Sequence, residues 1–551
     1  MSKVTLITDM INMNEKKPII WTISGSDCSG GAGIAADIKT GHGLGVEVCH
    51  LMTANTAQNS QQLLSVNVVP VELLQQQVEV LTRDKPPLVI KIGLIVTVEQ
   101  VQWLTQVLVQ LKLKNPLIIT VYDPVGQASV GGTFSSLTVA ELTPLLTLID
   151  IITPNLLEAQ RLAKLKNKVN IERLASVIHQ KFAIGSVIIK GGHNGDKAQC
   201  VDFCYHQLNK LKQDNQDKNK KTFVYRLSSS RLSTNYSHGG GCTFASALAA
   251  FLAHGYLLRD AFTLSKAFIN QGLAATLSAS VLTGHKYYGA IEQLAWPNKA
   301  QYFPQVCDQL TQQYQHLPRF NNLALNGKKL GLYPIINSLY WLKRLLPLGL
   351  EIIQLRVKNL APDELEQVII AAVALAKNYT TRLFINDYWQ LAIKHGAYGV
   401  HIGQEDLADA DLLQIQQAGL RLGISTHGCY EFLLAQQLQP SYLAVGAIFP
   451  TKTKDMTGQI QGVHNLKQLL ALRQQDPKST EFKDNVLLSE PRDNPEGNGN
   501  IIPVVAIGGI NLERAAAVLA TGVDSIAVVT AITEAIDPEI AVVQLVEINQ
   551  L

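Results

Sequence analysis

Eight short apolar runs, each followed by a segment of helical character, succeed one another in roughly the last 220 residues of the chain. This repeat limits the fold more than any other feature, because eight strand–helix units in that length are typical of a (β/α)8 TIM barrel. We therefore predict a barrel over residues 329–551. Its predicted strands are residues 330–336, 351–355, 382–385, 399–402, 421–424, 442–445, 504–507 and 525–529.

A second series of β-branched runs, beginning at Ile19, alternates with helical segments in the first half of the chain. Strands that alternate with helices along a sequence usually lie parallel in one sheet. The pattern predicts an α/β domain with a central, mostly parallel sheet. The clearest of its strands are residues 19–23, 88–92, 117–121 and 187–190.

The remaining segments have the composition of connections. Residues 1–17 are interpreted as an N-terminal extension, the first α/β domain covers 18–285, and 286–328 is predicted to be a linker with some helix. The polar segment 207–221 is predicted to be a solvated hairpin loop or mobile insertion. Residues 474–499, rich in Pro, Asn, Asp and Glu, are predicted to form a disordered insert before the seventh barrel strand.

The bulk composition excludes several classes of function. A balance of 47 basic against 44 acidic residues implies no broad surface for nucleic acid or a membrane, so we expect small-molecule partners. Seven scattered cysteines without a C-x-x-C pair indicate reduced thiols and a cytoplasmic protein. The uncharged run 239–258 is nearly long enough to cross a bilayer, but its glycines, Ser246 and His254 favour a buried helix. A homo-oligomer is compatible with the sequence, which leaves the oligomeric state open.

The sequence SHGGGCT at 237–243 leads directly into an apolar helical segment. Gly239, Gly240 and Gly241 let the backbone approach an anion, which a helix N-terminus attracts through its free N–H groups and its dipole. The same dipole is expected to favour the thiolate of Cys242. On residue types alone, a small buried cysteine in a glycine-rich turn is the more common case.

A second glycine-rich loop, ISGSDCSGGAG at 23–33, follows the first predicted strand. Such a loop is by itself a weak signal for phosphate binding. Asp37 and Lys39 follow on the helix behind the loop, and we expect both on a solvated helical face.

The order of motifs in this half resembles that of hydroxymethylpyrimidine and hydroxymethylpyrimidine phosphate kinases of the ribokinase-like superfamily. The resemblance covers most of residues 19–285 and implies a ribokinase-like αβα domain that transfers phosphoryl groups from ATP. The matching motifs are TISGSDCSGGAGIAADIKT, TANTAQNS, VIKIGL, YDPV, TPNLLEA, VIIKGGH and HGGGCTFASALAA.

Roles for individual residues follow from the same resemblance. It implies that Gln58 recognises the aminopyrimidine, that Asp27 lies beside the substrate, and that Cys242 is the general base on the hydroxymethyl group. The resemblance further implies that Asn155 and Glu158 organise magnesium and the triphosphate. It implies that Lys190 neutralises the transferring phosphate. Developing negative charge would be bound by Gly239, Gly240 and Gly241.

Two predicted barrel strands are followed by acidic residues. Asn386 and Asp387 close the third strand, and Asp406 follows the fourth. Parallel strands bring their carboxyl ends to one rim, where ligands bind, so both carboxylates are candidates for one magnesium ion and its phosphates. Helix capping is the competing interpretation, and these residues alone give the two equal weight.

Cations are predicted beside the two carboxylates. Alternation along the end of the second strand points Gln354, Arg356 and Lys358 the same way. A magnesium diphosphate needs carboxylates for the metal and cations for the remaining oxygens. The loop after the sixth strand adds hydroxyls and lysines. The loops after the seventh and eighth strands frequently bind a phosphate through backbone N–H groups in barrels, which predicts a second anion site distinct from the first. Two anionic substrates on one rim suggest a joining reaction.

This half resembles thiamine phosphate synthase over nearly its whole length. The matching motifs are GLYPIINS, IIQLRVK, LFINDYW, VHIGQEDL, LGISTHGCYE, GAIFPTKTK, AIGGI and SIAVVTAI. The implied ligands of hydroxymethylpyrimidine diphosphate are Gln354, Arg356, Lys358, Asn386, Ser425 and Lys454, with magnesium on Asp387 and Asp406. The implied ligands of thiazole phosphate are Thr451, Thr453, Gly508, Gly509, Val529 and Thr530.

The two resemblances imply consecutive chemistry with ATP as phosphoryl donor and magnesium as cofactor. The first domain would phosphorylate hydroxymethylpyrimidine twice, and the barrel would join the resulting diphosphate to thiazole phosphate. The chain departs from the residues usual in these families at Leu94, Gly240, Asn337 and Thr530. Two alternatives stay open: a tandem enzyme with a pyridoxal-type kinase, and a non-catalytic vitamin sensor or scaffold.

Overall fold

Two compact units divide the chain: one comprises Met1–Pro297 and Tyr302–Asp308, and the other comprises Asn298–Gln301 and Gln309–Leu551. The predicted N-terminal extension and both predicted inserts lie almost entirely outside the described residues. The computed structural model describes residues 17–59, 62–126, 135–165, 169–192, 198–207, 222–232, 234, 236–283, 289–325, 329–451, 460–473 and 501–550.

The first unit is built on one mostly parallel sheet. Its ten described strands are β1 (Ile19–Asp27), β2 (Glu47–Gln58), β3 (Leu63–Val68), β4 (Val89–Ile92), β5 (Ile119–Tyr122), β6 (Ile151–Ile152), β7 (Ser186–Ile189), β8 (Gln199–Gln207), β9 (Thr222–Ser230) and β10 (Gln305–Val306). They follow the order β10-β9-β8-β7-β6-β5-β4-β1-β2-β3. The six strands from β7 to β2 pair in parallel, and antiparallel strands extend both edges. The predicted fold class is confirmed.

Helices of the first unit pack their apolar faces against this sheet. Helix Ile171–Phe182, for example, buries Leu174, Ile178 and Phe182, which recur every four residues along one face. The described helices are α1 (Gly33–Gly43), α2 (Val71–Asp84), α3 (Val98–Lys114), α4 (Val139–Leu146), α5 (Leu156–Ala163), α6 (Ile171–Phe182), α7 (Gly240–Ala253) and α8 (Leu258–Thr283).

Most of the uncharged run 239–258 forms α7, which is buried from Thr243 to Phe251 and at Ala253. It contacts α8 and α1 and the strands β1, β4 and β5, so its apolar side chains belong to the core of the first unit. The prediction of a buried helix is therefore confirmed. None of the helices in the described residues combines the length and the apolar character that a bilayer span requires.

The second unit contains a closed barrel of eight parallel strands, counted over the described residues. Each strand lies within two residues of its predicted bounds, and β11 closes the barrel by pairing with both β12 and β18. The strands are β11 (Gly331–Ile336), β12 (Ile352–Leu355), β13 (Arg382–Asn386), β14 (Gly399–Ile402), β15 (Arg421–Thr426), β16 (Tyr442–Val445), β17 (Val504–Ile507) and β18 (Ser525–Val528).

Helices follow the barrel strands as the repeat predicts. They are α10 (Leu339–Leu345), α11 (Pro362–Ala376), α12 (Trp389–Lys394), α13 (Leu412–Gln417), α14 (Cys429–Gln437), α15 (Gly462–Leu470), α16 (Leu512–Leu519), α17 (Thr530–Thr533) and α18 (Pro538–Gln550), preceded by α9 (Gln309–Gln313). Aromatic rings fill much of the barrel interior: Tyr333, Phe384 and Tyr442 meet edge to face, with ring centroids 5.2–6.4 Å apart.

The predicted linker, 286–328, is divided between the two units. Strand β10 extends the edge of the first sheet by pairing with β9. Phe320 and Leu323 are instead buried in the second unit, where the Phe320 N–H donates to the Gln439 carbonyl at 3.1 Å. Much of this segment is therefore structural rather than a free connection.

Candidate active sites

One pocket of the first unit gathers three of the predicted site residues. Asp27 ends β1, Gln58 ends β2, and Cys242 lies in the first turn of α7. Thr56 and Leu94 complete the wall beside them. The fold thus brings together side chains from three separate sequence motifs.

Hydrogen bonds hold the Asp27 carboxylate inside the first glycine-rich loop. It accepts from the N–H groups of Ser29, Gly31 and Ala32 at 2.9–3.2 Å, and from His238 Nε2 at 2.8 Å. Burial alone would raise the pKa of Asp27, but the hydrogen bonds from His238 and Ser29 outweigh it and lower the pKa to about 2. Asp27 is therefore a permanent carboxylate that shapes the loop as well as the pocket.

His238 and Gly239 join the two glycine-rich loops. His238 contacts Asp27. Gly239 has a φ of 77° and lies so close to the first loop that a Cβ atom on it would be 1.9 Å from the Gly31 carbonyl oxygen. Only glycine fits this position. The sequence singled out Gly239 but not His238, whose only signal was its place directly before the glycines.

The Cys242 thiol does not have the lowered pKa that its helix position predicts. Burial raises the pKa to about 11, although the charge of Lys91 and a hydrogen bond from the Gly33 N–H act in the opposite direction. The prediction of a favoured thiolate is therefore wrong. At neutral pH this group is almost entirely a thiol, and only the small fraction present as thiolate can act as a base.

Asp37, predicted on a solvated helical face, is fully buried. Its carboxylate lies 2.8 Å from the ammonium of Lys91, itself fully buried, and accepts hydrogen bonds from Ser246 at 2.6 Å and from Thr22. Burial would lower the pKa of Lys91, but the charge of Asp37 raises it above its usual value. The pair is an ion pair of the core. Lys39 is exposed, as predicted.

Lys190 pairs with Asp123, which the sequence alone did not single out although it lies in the YDPV motif. Lys190 Nζ lies 2.6 Å from Asp123 Oδ1, while Asp123 Oδ2 is buried and has no hydrogen-bond partner among the described residues. A Cβ atom on Gly241 would lie 3.2 Å from Lys190 Nζ and 3.3 Å from Asp123 Oδ2. The glycine-rich turn therefore passes directly over this ion pair.

Asn155 and Glu158 form the capping box of α5. The Asn155 side chain accepts from the Glu158 N–H at 2.9 Å, and the Glu158 carboxylate accepts from the Asn155 N–H at 2.8 Å. Burial raises the pKa of Glu158, against the lowering effect of Lys190. The capping box thus holds both residues close to Lys190, and the Glu158 carboxylate can still accept further interactions.

In the barrel, Asp387 directly follows β13 with a left-handed φ of 65°. Its N–H donates to the His401 carbonyl at 2.8 Å, and its Oδ2 lies 3.2 Å from Lys358 Nζ. Strand β12 ends at Leu355, so the predicted alternation stops before Lys358, yet Lys358 still reaches Asp387. The N–H of Arg356 donates to the Ile336 carbonyl at 2.7 Å, and its side chain is partly exposed.

Neither barrel carboxylate serves as a helix cap. The side chain that caps α13 is Asp411, which accepts from the Gln414 N–H at 3.0 Å, and α12 begins without a side-chain cap. Asp406 lies in the turn after β14, next to Gly403. The competing interpretation is therefore wrong for both residues.

The donor set on this rim fits magnesium rather than a metal caged by protein alone. Within the described residues, no three His, Cys, Asp or Glu side chains are arranged to hold a metal ion. Magnesium commonly takes only one or two carboxylates from a protein and completes its shell with substrate phosphates and water. Asp387 and Asp406, at the ends of neighbouring strands, offer such a pair.

A chain of hydrogen bonds through the barrel interior links Gln354 to Ser425. Gln354 Nε2 donates to the Tyr333 hydroxyl at 3.1 Å, and the hydroxyls of Tyr333 and Tyr442 are 2.7 Å apart. His401 then contacts Tyr442 through Nδ1 and Ser425 through Nε2, both at 2.8 Å. Burial lowers the pKa of His401 to about 4. Asn386 is buried at the end of β13, on the strand next to His401.

The loops after β16 and β17 are locked together by backbone hydrogen bonds. The N–H of Phe449 donates to the Gly508 carbonyl at 3.0 Å, and Gly509 packs against the Pro450 carbonyl. Val529 precedes α17, whose first N–H groups have no acceptor within the helix. Of the remaining predicted phosphate ligands, Thr530 begins α17, Thr451 follows Pro450, and Thr453 and Lys454 lie outside the described residues.

Two family models match the chain in succession. One, described as phosphomethylpyrimidine kinase, matches residues 27–288. The other, described as thiamine monophosphate synthase, matches residues 332–532. The first match falls in the first unit and the second in the barrel unit.

Curated thiamine-phosphate synthases are similar to this chain. That of Yersinia pseudotuberculosis is 50% identical over 221 residues, which cover 40% of this chain and 91% of the relative. That of Serratia proteamaculans is 50% identical over 220 residues, which cover 40% of this chain and 92% of the relative.

Solved structures resemble one half of the chain or the other. Phosphomethylpyrimidine kinase from Clostridium difficile 630 is 30% identical and covers 46% of this chain and 99% of its own, with a TM-score of 0.36. Pyridoxal kinase from Staphylococcus aureus in complex with pyridoxal is 27% identical and covers 51% and 94%, with a TM-score of 0.40. Thiamine phosphate pyrophosphorylase from Pyrococcus furiosus is 28% identical and covers 40% and 96%, with a TM-score of 0.32.

Proposed function

Because the chain belongs to the thiamine-phosphate synthase family and also carries a phosphomethylpyrimidine kinase domain, we propose that it makes thiamine phosphate in consecutive steps at the two sites described above. It is a bifunctional transferase of thiamine biosynthesis. The assignments of individual residues that follow are our proposal.

The first unit phosphorylates hydroxymethylpyrimidine and then its monophosphate. This assignment is supported by the shared pocket of Asp27, Gln58 and Cys242. Gln58 and Asp27 hold the pyrimidine, and the thiolate form of Cys242 takes the proton of the hydroxymethyl group as the hydroxymethyl oxygen attacks the γ-phosphorus of ATP. The bond between that phosphorus and the β–γ bridging oxygen breaks, and ADP leaves.

Lys190 and the glycine-rich turn balance the charge of the transferring phosphoryl group. Lys190 Nζ lies beside Gly241, where a Cβ atom would be 3.2 Å from it. Gly241 and Cys242 are in the first turn of α7, whose N–H groups have no acceptor within the helix. Bound magnesium would neutralise phosphate oxygens in such a site. The unpartnered Asp123 Oδ2 and the carboxylate of Glu158, held by Asn155, are the oxygens that fit it.

The barrel joins the pyrimidine diphosphate to thiazole phosphate. The observation that carries the assignment is the meeting of cations and carboxylates at the ends of neighbouring strands: Lys358 pairs with Asp387, and Asp406 follows the next strand. Arg356, Lys358 and Lys454 bind the diphosphate, Gln354, Asn386 and Ser425 bind the pyrimidine end, and Asp387 and Asp406 hold magnesium, which would supply charge for the leaving group.

The chemistry at the barrel is displacement with the leaving group departing first. The bond from the pyrimidine methylene carbon to the diphosphate oxygen breaks, the diphosphate takes the electron pair, and the thiazole nitrogen forms the new bond to carbon. The locked loops at Gly508 and Gly509, with Thr451, Thr453, Val529 and Thr530, hold the thiazole phosphate and aim its ring.

The kinase uses ATP, and the barrel uses the pyrimidine diphosphate that the kinase forms. Families of these two kinds use ATP and magnesium. All seven cysteines are free thiols, which fits a reducing compartment. We therefore place the protein in the cytoplasm with ATP, the pyrimidine and thiazole phosphate as its partners.

The full chain tests this function in one reaction mixture. Supplied with hydroxymethylpyrimidine, ATP, magnesium and thiazole phosphate, it is expected to form thiamine phosphate. Supplied with the pyrimidine diphosphate in place of hydroxymethylpyrimidine and ATP, the barrel alone should form the same product. Pyridoxal in place of hydroxymethylpyrimidine measures whether the kinase prefers another substrate.

Each arm of this experiment isolates one unit. No product from the pyrimidine diphosphate would contradict the barrel assignment, whatever the kinase does. Product from the diphosphate but none from hydroxymethylpyrimidine, together with fast turnover of pyridoxal, would contradict the kinase assignment and leave the barrel assignment standing.

A further inference from the structure

The hydrogen-bond chain in the barrel ends at two residues that the proposed function assigns to the pyrimidine. Its members Gln354, Tyr333, Tyr442 and His401 are only 0–6% exposed, whereas Ser425 is partly exposed. Polar groups buried this deeply depend on one another for hydrogen bonds, because water does not replace a lost partner. The four hydrogen bonds of this hydrogen-bond chain are therefore interdependent.

All bonds of this hydrogen-bond chain run in one direction. If the buried Tyr333 oxygen accepted from both Gln354 and Tyr442, its single hydrogen would have no acceptor among the described residues, which is costly for a buried group. Gln354 Nε2 donates to Tyr333, so the Tyr333 hydroxyl donates to Tyr442. The Tyr442 hydroxyl then donates to His401 Nδ1, which must accept. The hydrogen of this neutral imidazole is on Nε2, which donates to Ser425 Oγ.

This direction gives the two ends opposite roles towards a ligand. Ser425 Oγ already accepts from His401, so its own hydrogen is left to donate. Gln354 already donates to Tyr333, so its Oε1 is left to accept. Turning the Gln354 amide over would reverse every bond and exchange both roles together. In either direction, one end donates whenever the other accepts.

An aminopyrimidine edge offers the same pair of opposite roles, since a ring nitrogen that accepts lies next to an amino group that donates. We propose that Tyr333, Tyr442 and His401 are positioning residues, which make Ser425 a donor to the ring nitrogen and Gln354 an acceptor from the amino group. The inference rests on the proposed function of the barrel. It adds three residues that touch no substrate but set the polarity of two that do.

The surroundings hold the chain in this geometry. A Cβ atom on Gly423 would lie 2.4 Å from the Tyr442 hydroxyl oxygen, so glycine on β15 makes the space that Tyr442 occupies. The rings of His401 and Tyr442 stack with centroids 5.6 Å apart. Gln404 Nε2 donates to the Ser425 carbonyl at 2.6 Å and fixes the backbone at the outer end.

The test compares two substrates in full-length Tyr442→Phe and Tyr333→Phe. One substrate is the natural pyrimidine diphosphate, and the other is its pyridine analogue, in which the ring nitrogen beside the amino-bearing carbon is replaced by C–H. Unaltered protein is expected to lose about tenfold in kcat/KM on the analogue, the size of one hydrogen bond. For each variant, kcat/KM on the natural substrate should fall about tenfold, through a higher KM. The same variant should then turn over the analogue with a kcat/KM less than about twofold below its own value on the natural substrate.

Tyr398→Phe is the matched control, because the Tyr398 hydroxyl donates to the Leu323 carbonyl and takes no part in the hydrogen-bond chain from Gln354 to Ser425. It should keep the full penalty for the analogue, and KM for thiazole phosphate should stay unchanged in all three variants. The proposal is overturned if both tyrosine variants keep that penalty, or if unaltered protein does not distinguish the two substrates. Absence of turnover in unaltered protein would instead count against the proposed function. The substrate comparison in unaltered protein remains decisive even where a variant does not fold.

Discussion

The two sites hold their charged side chains in opposite ways. In the first unit, the Asp27 carboxylate is saturated by loop hydrogen bonds, and Lys190, only 16% exposed, is paired with the buried Asp123. In the barrel, Asp387 pairs across 3.2 Å with Lys358, whose side chain is 49% exposed. Except for Asp123 Oδ2, the first set of charges is paired within the described residues, whereas the second set lies open to exchange partners.

This difference indicates that the barrel site, rather than the kinase site, exchanges its own ion pair for contacts with its ligand. An exposed ion pair contributes about 0–1 kcal/mol, so the Lys358–Asp387 pair can give way to a magnesium diphosphate at little cost. A buried pair left without one partner costs several times more. Substitutions in the first site should therefore affect activity and stability together, whereas those on the barrel rim should affect activity alone.

Cys242→Ala is expected to give the largest effect. Loss of the general base should lower kinase turnover about a thousandfold while nucleotide binding stays intact. The measurement is phosphorylation of hydroxymethylpyrimidine to its monophosphate, with coupling of supplied pyrimidine diphosphate as the internal reference. Cys49→Ala, which removes a core thiol on β2, is the control and should retain turnover. Undiminished kinase turnover in Cys242→Ala would eliminate the base assignment.

Lys91→Met tests whether the first site is tied to the core. It leaves the Asp37 carboxylate buried without its cation and should destabilise the first unit by about 3 kcal/mol. Kinase activity should then be lost at a lower temperature than coupling activity in the same heated sample. The exposed Lys114→Met is the control, and adding Asp37→Leu to Lys91→Met should recover much of the loss. Equal heat resistance of Lys91→Met and Lys114→Met would contradict the ion-pair assignment.

Asp387→Ala and Asp406→Ala should each lower coupling about a hundredfold and weaken its dependence on magnesium. Since both carboxylates lie on the open rim, heat resistance should change little. Asp409→Ala removes an exposed carboxylate from the same turn as Asp406 and serves as the control. Unchanged magnesium titrations in both site variants would refute the metal assignment.

The pH dependence should separate the two sites with a smaller effect. The pKa of the Cys242 thiol is raised to about 11, so its thiolate fraction grows about tenfold per pH unit between pH 7 and pH 9. The kinase rate should rise over this interval, because the deprotonated thiol is the active base. Coupling, which uses no such thiol, should not share the rise. A kinase rate that is flat from pH 7 to pH 9 would argue against Cys242 as the base.

The barrel was predictable from the sequence because its signal is local. Each strand is a short apolar run, and the order of the runs already determines which strand ends are neighbours, as with Asn386–Asp387 and the turn to Asp406. The hydrogen-bond chain was not predictable. Tyr333 and Tyr442 have the character of ordinary core aromatics, and the role of their hydroxyls depends on partners that are 21, 41 and 109 residues away.

The errors in the first unit have a similar cause. Asp37 lies on a helix after a glycine-rich loop, where a charge is normally solvated, and its partner Lys91 is 54 residues away on β4. Cys242 has the helix position that lowers a thiol pKa, but the burial that raises it comes from the packing of α7 among sheet and helices. Burial of a polar group is a property of the tertiary structure, and residue types alone do not reveal it.

The path of the chain between the two units decides how the activities can be separated by cutting the gene. A cut at Pro297 would leave β10 on the barrel polypeptide, although β10 lies in Tyr302–Asp308, which belongs to the first unit. A cut after Asp308 keeps the edge strand with its sheet and removes only Asn298–Gln301 from the barrel piece. Dividing the protein there should yield two enzymes whose relative amounts are set by separate expression, whereas the natural chain fixes them at one to one.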